Sequence, residues 1–300
     1  EPVEFGSVPL YSSDPIKHSN KGAVGAIIIE PQGAEWREYP DSRAKAYVDP
    51  TPRSARGDEF REFVLIVHDD LNLRAENERT GNGSPLRPLP VNDDPTETGQ
   101  VAFNYKTEPV WFRHGFLPET DPGVTRQMQM AETFSNTQIG NIDPFTPVFR
   151  AVKGDNVRFR LVHPGGDTQQ HTWGLHGHVW QETPWFKNST VQGDNPASEW
   201  KGVEFGHGPT NAFNVLVENG AGGAFQITGD YMYRDYVPWY LSNGLWGIFR
   251  VFESEEKLRE EEPKWVPNAI GPAGSTASDD VTPGLKLAEP TDLAGGDARD

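Results

Sequence analysis

Hydrophobic and polar positions along this 300-residue chain follow the short periods of strands rather than the long stripes of helices. Ala26-Ile27-Ile28-Ile29 and Phe63-Val64-Leu65-Ile66-Val67 are brief apolar, β-branched runs, which predict buried strands. Residues 146–152 and 157–162 flank Lys153-Gly154-Asp155, a strand–turn–strand pattern. Val157, Phe159 and Leu161 alternate with Arg158 and Arg160, predicting a strand with one face buried and one in water. Further strands are predicted at 173–180, 213–217, 223–227 and 246–252.

Between these runs, residues 31–60 are polar with scattered Pro and Arg and predict a loop, as do residues 71–100, with Asn-Gly, Gly-Ser and several prolines. Residues 101–140 are expected to connect two domains. The acidic run from Glu253 suits one or two exposed helical turns. The Gly-, Pro-, Ala- and Asp-rich stretch from Gly271 to Asp300 predicts an extended tail with little to bury. Short strands separated by turns predict an all-β sandwich.

Composition narrows the chemistry. The 31 glycines and 26 prolines fit a turn-rich β protein. A formal charge of −17 makes nucleic acid a poor partner and favours cations at the surface. No apolar run reaches the ~18 residues of a membrane span. The chain has no cysteine, which excludes disulfides, thiolate catalysis and a self-contained blue-copper centre of two His and one Cys. The length suits about two domains.

The informative motif is His171-Thr-Trp-Gly-Leu-His176-Gly-His178, with three of the eight histidines in eight residues. A second block, Gly229-Asp-Tyr-Met-Tyr-Arg234-Asp235-Tyr236, continues through Tyr240 to Gly244-Leu245-Trp-Gly247. In order and spacing the two blocks resemble the closing part of a multicopper oxidase cupredoxin domain, written H-P-x-H-x-H-G-H and G-x-x-x-Y-H-C-H-x-x-x-H-x-x-x-G-M-x-G. Val101-Ala-Phe-Asn104-Tyr105-Lys-Thr-Glu108-Pro109, followed by Arg113, resembles the A-x-N-Y-R-x-E-P segment of some members. Residues 8–30 resemble the end of another such domain, with His18-x-x-x-Gly22 matching the close of its copper loop, Ser13 at the Cys position and Ala23 at the axial Met position.

That resemblance implies a Greek-key, cupredoxin-like β-sandwich: one full domain plus the C-terminal part of another. The expected division is 1–85 for the partial domain, 86–140 for the connector, 141–253 for the full domain and 254–300 for the acidic tail. Family activity is one-electron substrate oxidation coupled to reduction of O2 to water. On the family's pattern, His171 takes the position of a type 1 copper ligand and His176 that of a type 3 ligand. His178 takes that of a neighbouring histidine which often has no ligand role. Gly174 stands where a type 2 His belongs. Arg234, Asp235 and Tyr236 replace His-Cys-His, Tyr240 replaces the next His, and Leu245 the axial Met.

Two functions follow as expectations. In one, the chain belongs to an oxidase and lends His171, His176 and His178 to a copper site completed by other domains or chains. In the other, it is a metal-free cupredoxin-fold module for structure or assembly, with Arg234 and Asp235 paired inside the former copper site. Both imply a partner polypeptide or oligomer mate that completes the first domain, because the apolar strands around Ile27–Ile29 and Val64–Val67 need a cover. The family also implies an extracytoplasmic location.

On a strand, residues two apart face the same way, so His176 and His178 could chelate together or simply pack. His18 and His68 come next as ligands, His68 having Asp69 beside it as an orienting carboxylate. His114 and His163 read as capping or surface residues, and His207, between glycines, as a loop residue. There is no G-x-S-x-G, H-E-x-x-H or phosphate-binding glycine loop. Gly165-Gly166 and Gly222-Gly223 read as turns, and the nine tryptophans as core or interface.

Overall fold

The computed structural model describes residues 5–14, 18–19, 22–30, 34–39, 42–49, 59–71, 100–109, 143–165, 170–185, 192 and 195–261. The expectations for the loop at 72–99, for Arg113 and His114, and for the tail from 262 fall outside these residues.

Fifteen strands are described. β1 (Gly6–Tyr11) and β2 (Val24–Ile29) form an antiparallel hairpin. β3 (Glu35–Tyr39), β4 (Ser42–Asp49), β5 (Phe60–Leu71) and β6 (Gln100–Phe103) follow. β7 (Val148–Val152), β8 (Asn156–Val162), β9 (His171–Leu175), β10 (Trp180–Gln181) and β11 (Trp200–Lys201) come next. β12 (Val203–His207), β13 (Ala212–Leu216), β14 (Gly229–Asp235) and β15 (Trp246–Phe252) complete the set. Two short helices, α1 (Pro238–Ser242) and α2 (Glu255–Glu261), close the described chain.

One sheet has the order β12-β9-β14-β15-β7, the other β13-β8-β5-β4-β3, with β6 paired to β5. The chain passes repeatedly between them, giving an all-β sandwich of two sheets, as expected for the fold class. Two junctions are parallel, β7 with β15 and β5 with β8. β5 lies in the stretch expected to end a first domain, yet seven of its residues, Phe60 to Ile66, pair with β8.

The core forms where the inward sides of the sheets meet. Phe63, Phe149, Phe159 and Phe249 are fully buried there. Phe63 and Phe149 lie 4.8 Å apart, and Phe149 meets Phe159 edge-on at 5.4 Å. Such pairs add about 0.5–1.5 kcal/mol each beyond burial. Asn104 clamps the centre of β5, accepting from Ile66 N at 2.7 Å and donating to Val64 O at 2.8 Å. This gives the Asn-Tyr segment a structural task.

Several expectations are corrected. Residues 31–60 hold two strands, β3 and β4, where a loop was expected. Their backbone hydrogen bonds to each other and to β5 stabilise a stretch that has no apolar run. Residues 223–227 are not a strand: Gly223–Phe225 is one 3-10 turn, Gly222 and Gln226 have φ of 87° and 49°, and Phe225 is 86% exposed. β9 stops at Leu175, because Gly177 turns the chain with φ 71°. β8 is covered on both faces, with Arg158 and Arg160 buried.

The cover on the outer face of β8 is the β1–β2 region. Glu30 pairs with Arg160, which also donates to Glu62 at 2.8 Å and to Asn214 and Gln192 at 2.9 Å each. Asn214 in turn accepts from Ser7 N at 2.9 Å, and a Cβ on Gly6 would collide with it. The polar side of the hairpin is thus inward. Leu10, Ile27 and Ile29, on its other side, are 45–52% exposed.

Candidate functional site

The ends of β5, β8, β9, β12 and β14 converge at one end of the sandwich. β9 opens on His171, and β14 closes on Asp235. Their register sets Asp235 opposite Trp173, two residues along from His171. Asp235 Oδ2 lies 2.6 Å from His171 Nδ1, and its Oδ1 accepts from Val237 N at 2.8 Å. The Tyr240 ring, carried on α1, lies 4.3 Å from the His171 ring, and Leu245 is fully buried. Backbone bonds from Asp235 N to Leu245 O and from Leu245 N to Tyr240 O, both 2.9 Å, close the loop on itself.

The positions matching type 1 copper ligands therefore lie together, and they do not fit copper of that type. The thiolate position is a carboxylate bonded to the histidine, and the other two are a phenol ring and an alkyl chain. Asp235 does not pair with Arg234 as expected. Arg234 instead lies over the Tyr236 ring, 4.1 Å from its centre. Tyr236 also fills the space in front of Gly174, where a Cβ would stand 2.5 Å from Tyr236 Cε2. A type 2 histidine at 174 would meet that ring.

His171, His176 and His178 do not converge. His178 is buried and saturated: its Nδ1 donates to His176 O at 2.8 Å, and its Nε2 accepts from Gly222 N at 3.0 Å. His176 lies beyond the strand, exposed, 6.0 Å from the Tyr236 ring, and burial and the Arg234 charge lower its pKa. Ser13 and His18 are exposed in the β1–β2 connection, with His18 Nδ1 2.8 Å from Ser12 Oγ.

Another group gathers around His171. Asp69, His163 and His171 place one ligand atom each within 4.8 Å of one another, all buried. Asp69 Oδ2 lies 3.6 Å from His171 Nε2, and the His163 ring 5.1 Å from that of His171. His207, the Cα partner of His171 across a bulge in β12, has its ring 5.7 Å from His163. His68 packs against Tyr105 at 4.1 Å.

Their charges are arranged in opposition. Burial opposes a charged His171, but the hydrogen bonds and charges of Asp235 and Asp69 raise its pKa to about 9. Burial, together with the charge of His171, pushes His163 down to about 3. Burial and His163 likewise lower His68 to about 3, and burial takes His207 well below its ordinary value. One imidazolium sits between two carboxylates, beside neutral imidazoles.

His163 and His207 were not expected here. His163 directly follows the strand predicted at 157–162, whereas His207, expected in a loop, ends β12, a strand the alternation did not predict. The position of His163 at the end of a predicted strand was the available signal, and nothing in the sequence marked His207.

No protein-family profile and no curated protein matches the sequence. Solved structures similar in fold include the multicopper oxidase mgLAC, at 13% identity and a TM-score of 0.41, covering 83% of this chain and 57% of that one. A copper nitrite reductase from Nitrosomonas europaea matches at 18% identity and TM-score 0.38, over 83% of this chain and 63% of its own. A blue copper oxidase from the same organism matches at 17% and 0.35, over 81% and 62%. The chain spans less than two thirds of each of these proteins.

Proposed function

We propose that this chain is a cupredoxin-fold module of a larger multicopper-oxidase-like protein, and that it braces and docks rather than carries electrons. The observation that carries this reading is the buried contact of His171 with Asp235, with Tyr240 and Leu245 closed around it. A carboxylate held at the ligand nitrogen, with no thiolate, leaves no electron-transfer copper centre there. The β1–β2 hairpin belongs, on this reading, to a neighbouring cupredoxin domain. Its apolar outer side is the seat of a partner polypeptide or a further segment of the same protein. An extracytoplasmic location goes with the family likeness of the motifs.

The test is absorbance of the purified chain after copper loading. The expected spectrum lacks the intense band near ~600 nm given by thiolate–copper charge transfer. That band in the pure chain overturns the reading.

One observation favours a second role. His176 is exposed at the end of β9 and is the one motif histidine with neither ring nitrogen engaged among the described residues. It is the imidazole this chain could lend to a copper site completed by another domain or chain. Copper content of the native assembly should then fall in His176→Ala and stay unchanged in His178→Ala. Equal copper in both variants removes this role.

A further inference from the structure

Four polar side chains from four strands or their ends lie close together in the interior, and the cupredoxin motif accounts for only one of them. Asp69 comes from β5, His163 from the end of β8, His171 from β9 and His207 from β12. All four are buried, His163 and His207 completely. No ring nitrogen of His163 or His207 makes a well-formed hydrogen bond among the described residues; each ring has only a weak approach to a backbone carbonyl, that of Asn211 for His207 and its own for His163. Burying a polar group without a partner costs about 1–3 kcal/mol. Each neutral ring offers one lone-pair nitrogen, so the two imidazoles bring two buried acceptors that a cation would satisfy.

We propose that Asp69, His163 and His171, with His207 as the fourth donor, form a thiolate-free site for one divalent cation, and that the cation is zinc. Three imidazoles and one carboxylate are a nitrogen- and oxygen-rich set suited to zinc, whose structural sites are closed and four-coordinate. Donors at about 2.1 Å around a tetrahedral ion stand roughly 3.4 Å apart. The donor atoms of Asp69, His163 and His171 already lie within 4.8 Å of one another, so rotamer adjustments suffice to close on an ion.

The surroundings of His171 fit this use. Asp235 holds Nδ1 at 2.6 Å, leaving Nε2, which faces Asp69, as the donor nitrogen once zinc displaces its proton to solvent. A carboxylate behind a ligand histidine fixes the ring and raises its basicity. Asp235 is thus a positioning residue for the ion. The backbone holds the other imidazoles in place: His163 N donates to Asn211 O at 3.0 Å, and Thr210 N donates to His163 O at 2.7 Å. The 208–211 turn thereby ties His163 to the segment that follows His207.

The experiment uses the full chain, stripped with chelator under denaturing conditions and refolded with zinc, since a buried site loads as the chain folds. Metal analysis should find one zinc per chain. Cobalt refolded into the wild type should give the intense visible bands of a four-coordinate ion. His163→Gln and Asp69→Asn should each weaken zinc binding about 100-fold or more, and Asp235→Asn about 10–100-fold. His18→Ala, at an exposed imidazole outside the cluster, should bind as the wild type does. Copper displacing zinc, with loss of that competition in His163→Gln, also supports the site. If His163→Gln does not fold, His207→Gln and the wild-type cobalt spectrum still decide. The proposal is overturned by absent zinc uptake or by a six-coordinate cobalt spectrum. It is also overturned by uptake that survives both ligand variants or is lost in His18→Ala.

Discussion

Asp235 Oδ2 stands 2.6 Å from His171 Nδ1, both side chains buried, at the strand positions where the copper-protein pattern has Cys and His. The geometry of the loop is kept while its chemistry is changed. A thiolate and an imidazole share a metal by both donating electron pairs to it. A carboxylate and an imidazole bond to each other directly, through a proton on Nδ1. The loop from Tyr236 to Leu245 thus stays closed without an ion as its centre.

The contact should carry stability in the metal-free chain. Removing one partner of a buried charged pair costs about 3–5 kcal/mol, because the other is left uncompensated. Asp235→Asn is therefore expected to lower the free energy of unfolding by roughly 3 kcal/mol. Urea denaturation in the presence of chelator measures it. A loss under about 0.5 kcal/mol, the scatter of surface substitutions, would contradict the account.

Tyr236 and Gly174 form a second replacement. The ring fills the space a side chain at 174 would need, and Arg234 caps its outer side. Overpacking of this kind costs about 1–3 kcal/mol. Gly174→Ala should destabilise by that amount, and adding Tyr236→Ala should return most of it. A double-mutant cycle with no coupling would show that the ring is not what excludes a residue at 174.

How much of this was legible in the residues depends on what sets each contact. His171, Asp235 and Tyr240, which share the frame of the copper motif, lie together, because strand register and loop length are local properties, although the contact of His171 with Asp235 was not the pairing expected. Periodicity also placed Val157, Phe159 and Leu161 in the core. What lay beyond reach depended on partners distant in sequence. Arg160 reads as a solvent residue until Glu30, 130 positions earlier, is seen beside it. His163 and His207 meet because β8 and β12 end at the same end of the sandwich, and no short-range pattern encodes that. His176 and His178 were misread as one strand because Gly177 looked like part of the motif rather than a turn.

The Glu30–Arg160–Glu62 cluster gives a pH dependence whose sign can be worked out. Burial, and the neighbouring Glu62, raise the Glu30 pKa from 4.5 to about 7 against the opposing pull of Arg160. Between those values the folded protein holds a proton that the unfolded chain has released. This contribution to stability is thus complete below about pH 4.5 and is lost as pH rises through about 7. Glu30→Gln puts an amide in place of the carboxyl and removes the titration. The difference in urea midpoint between wild type and variant, followed from pH 4.5 to 8, should change across that window. A difference constant with pH would contradict the raised pKa.

The last expectation concerns the outer side of the β1–β2 hairpin. Its inner side is tied down by Ser7, Glu30 and their polar partners, so the hairpin has a fixed place on the sandwich. Leu10, Ile27 and Ile29 face outward at 52%, 48% and 45% exposure, on a two-stranded sheet. Two strands with an uncovered apolar side are weakly stable alone and invite pairing with further strands. The isolated chain should therefore self-associate at micromolar concentration. Ile27→Lys combined with Ile29→Lys should disperse it with a stability change of about 0.5 kcal/mol or less per site, since neither residue is in the core. Sedimentation distinguishes the outcomes. A wild-type chain that stays monodisperse near 33.4 kDa would show that this face needs no cover, and would remove the docking half of the proposed function.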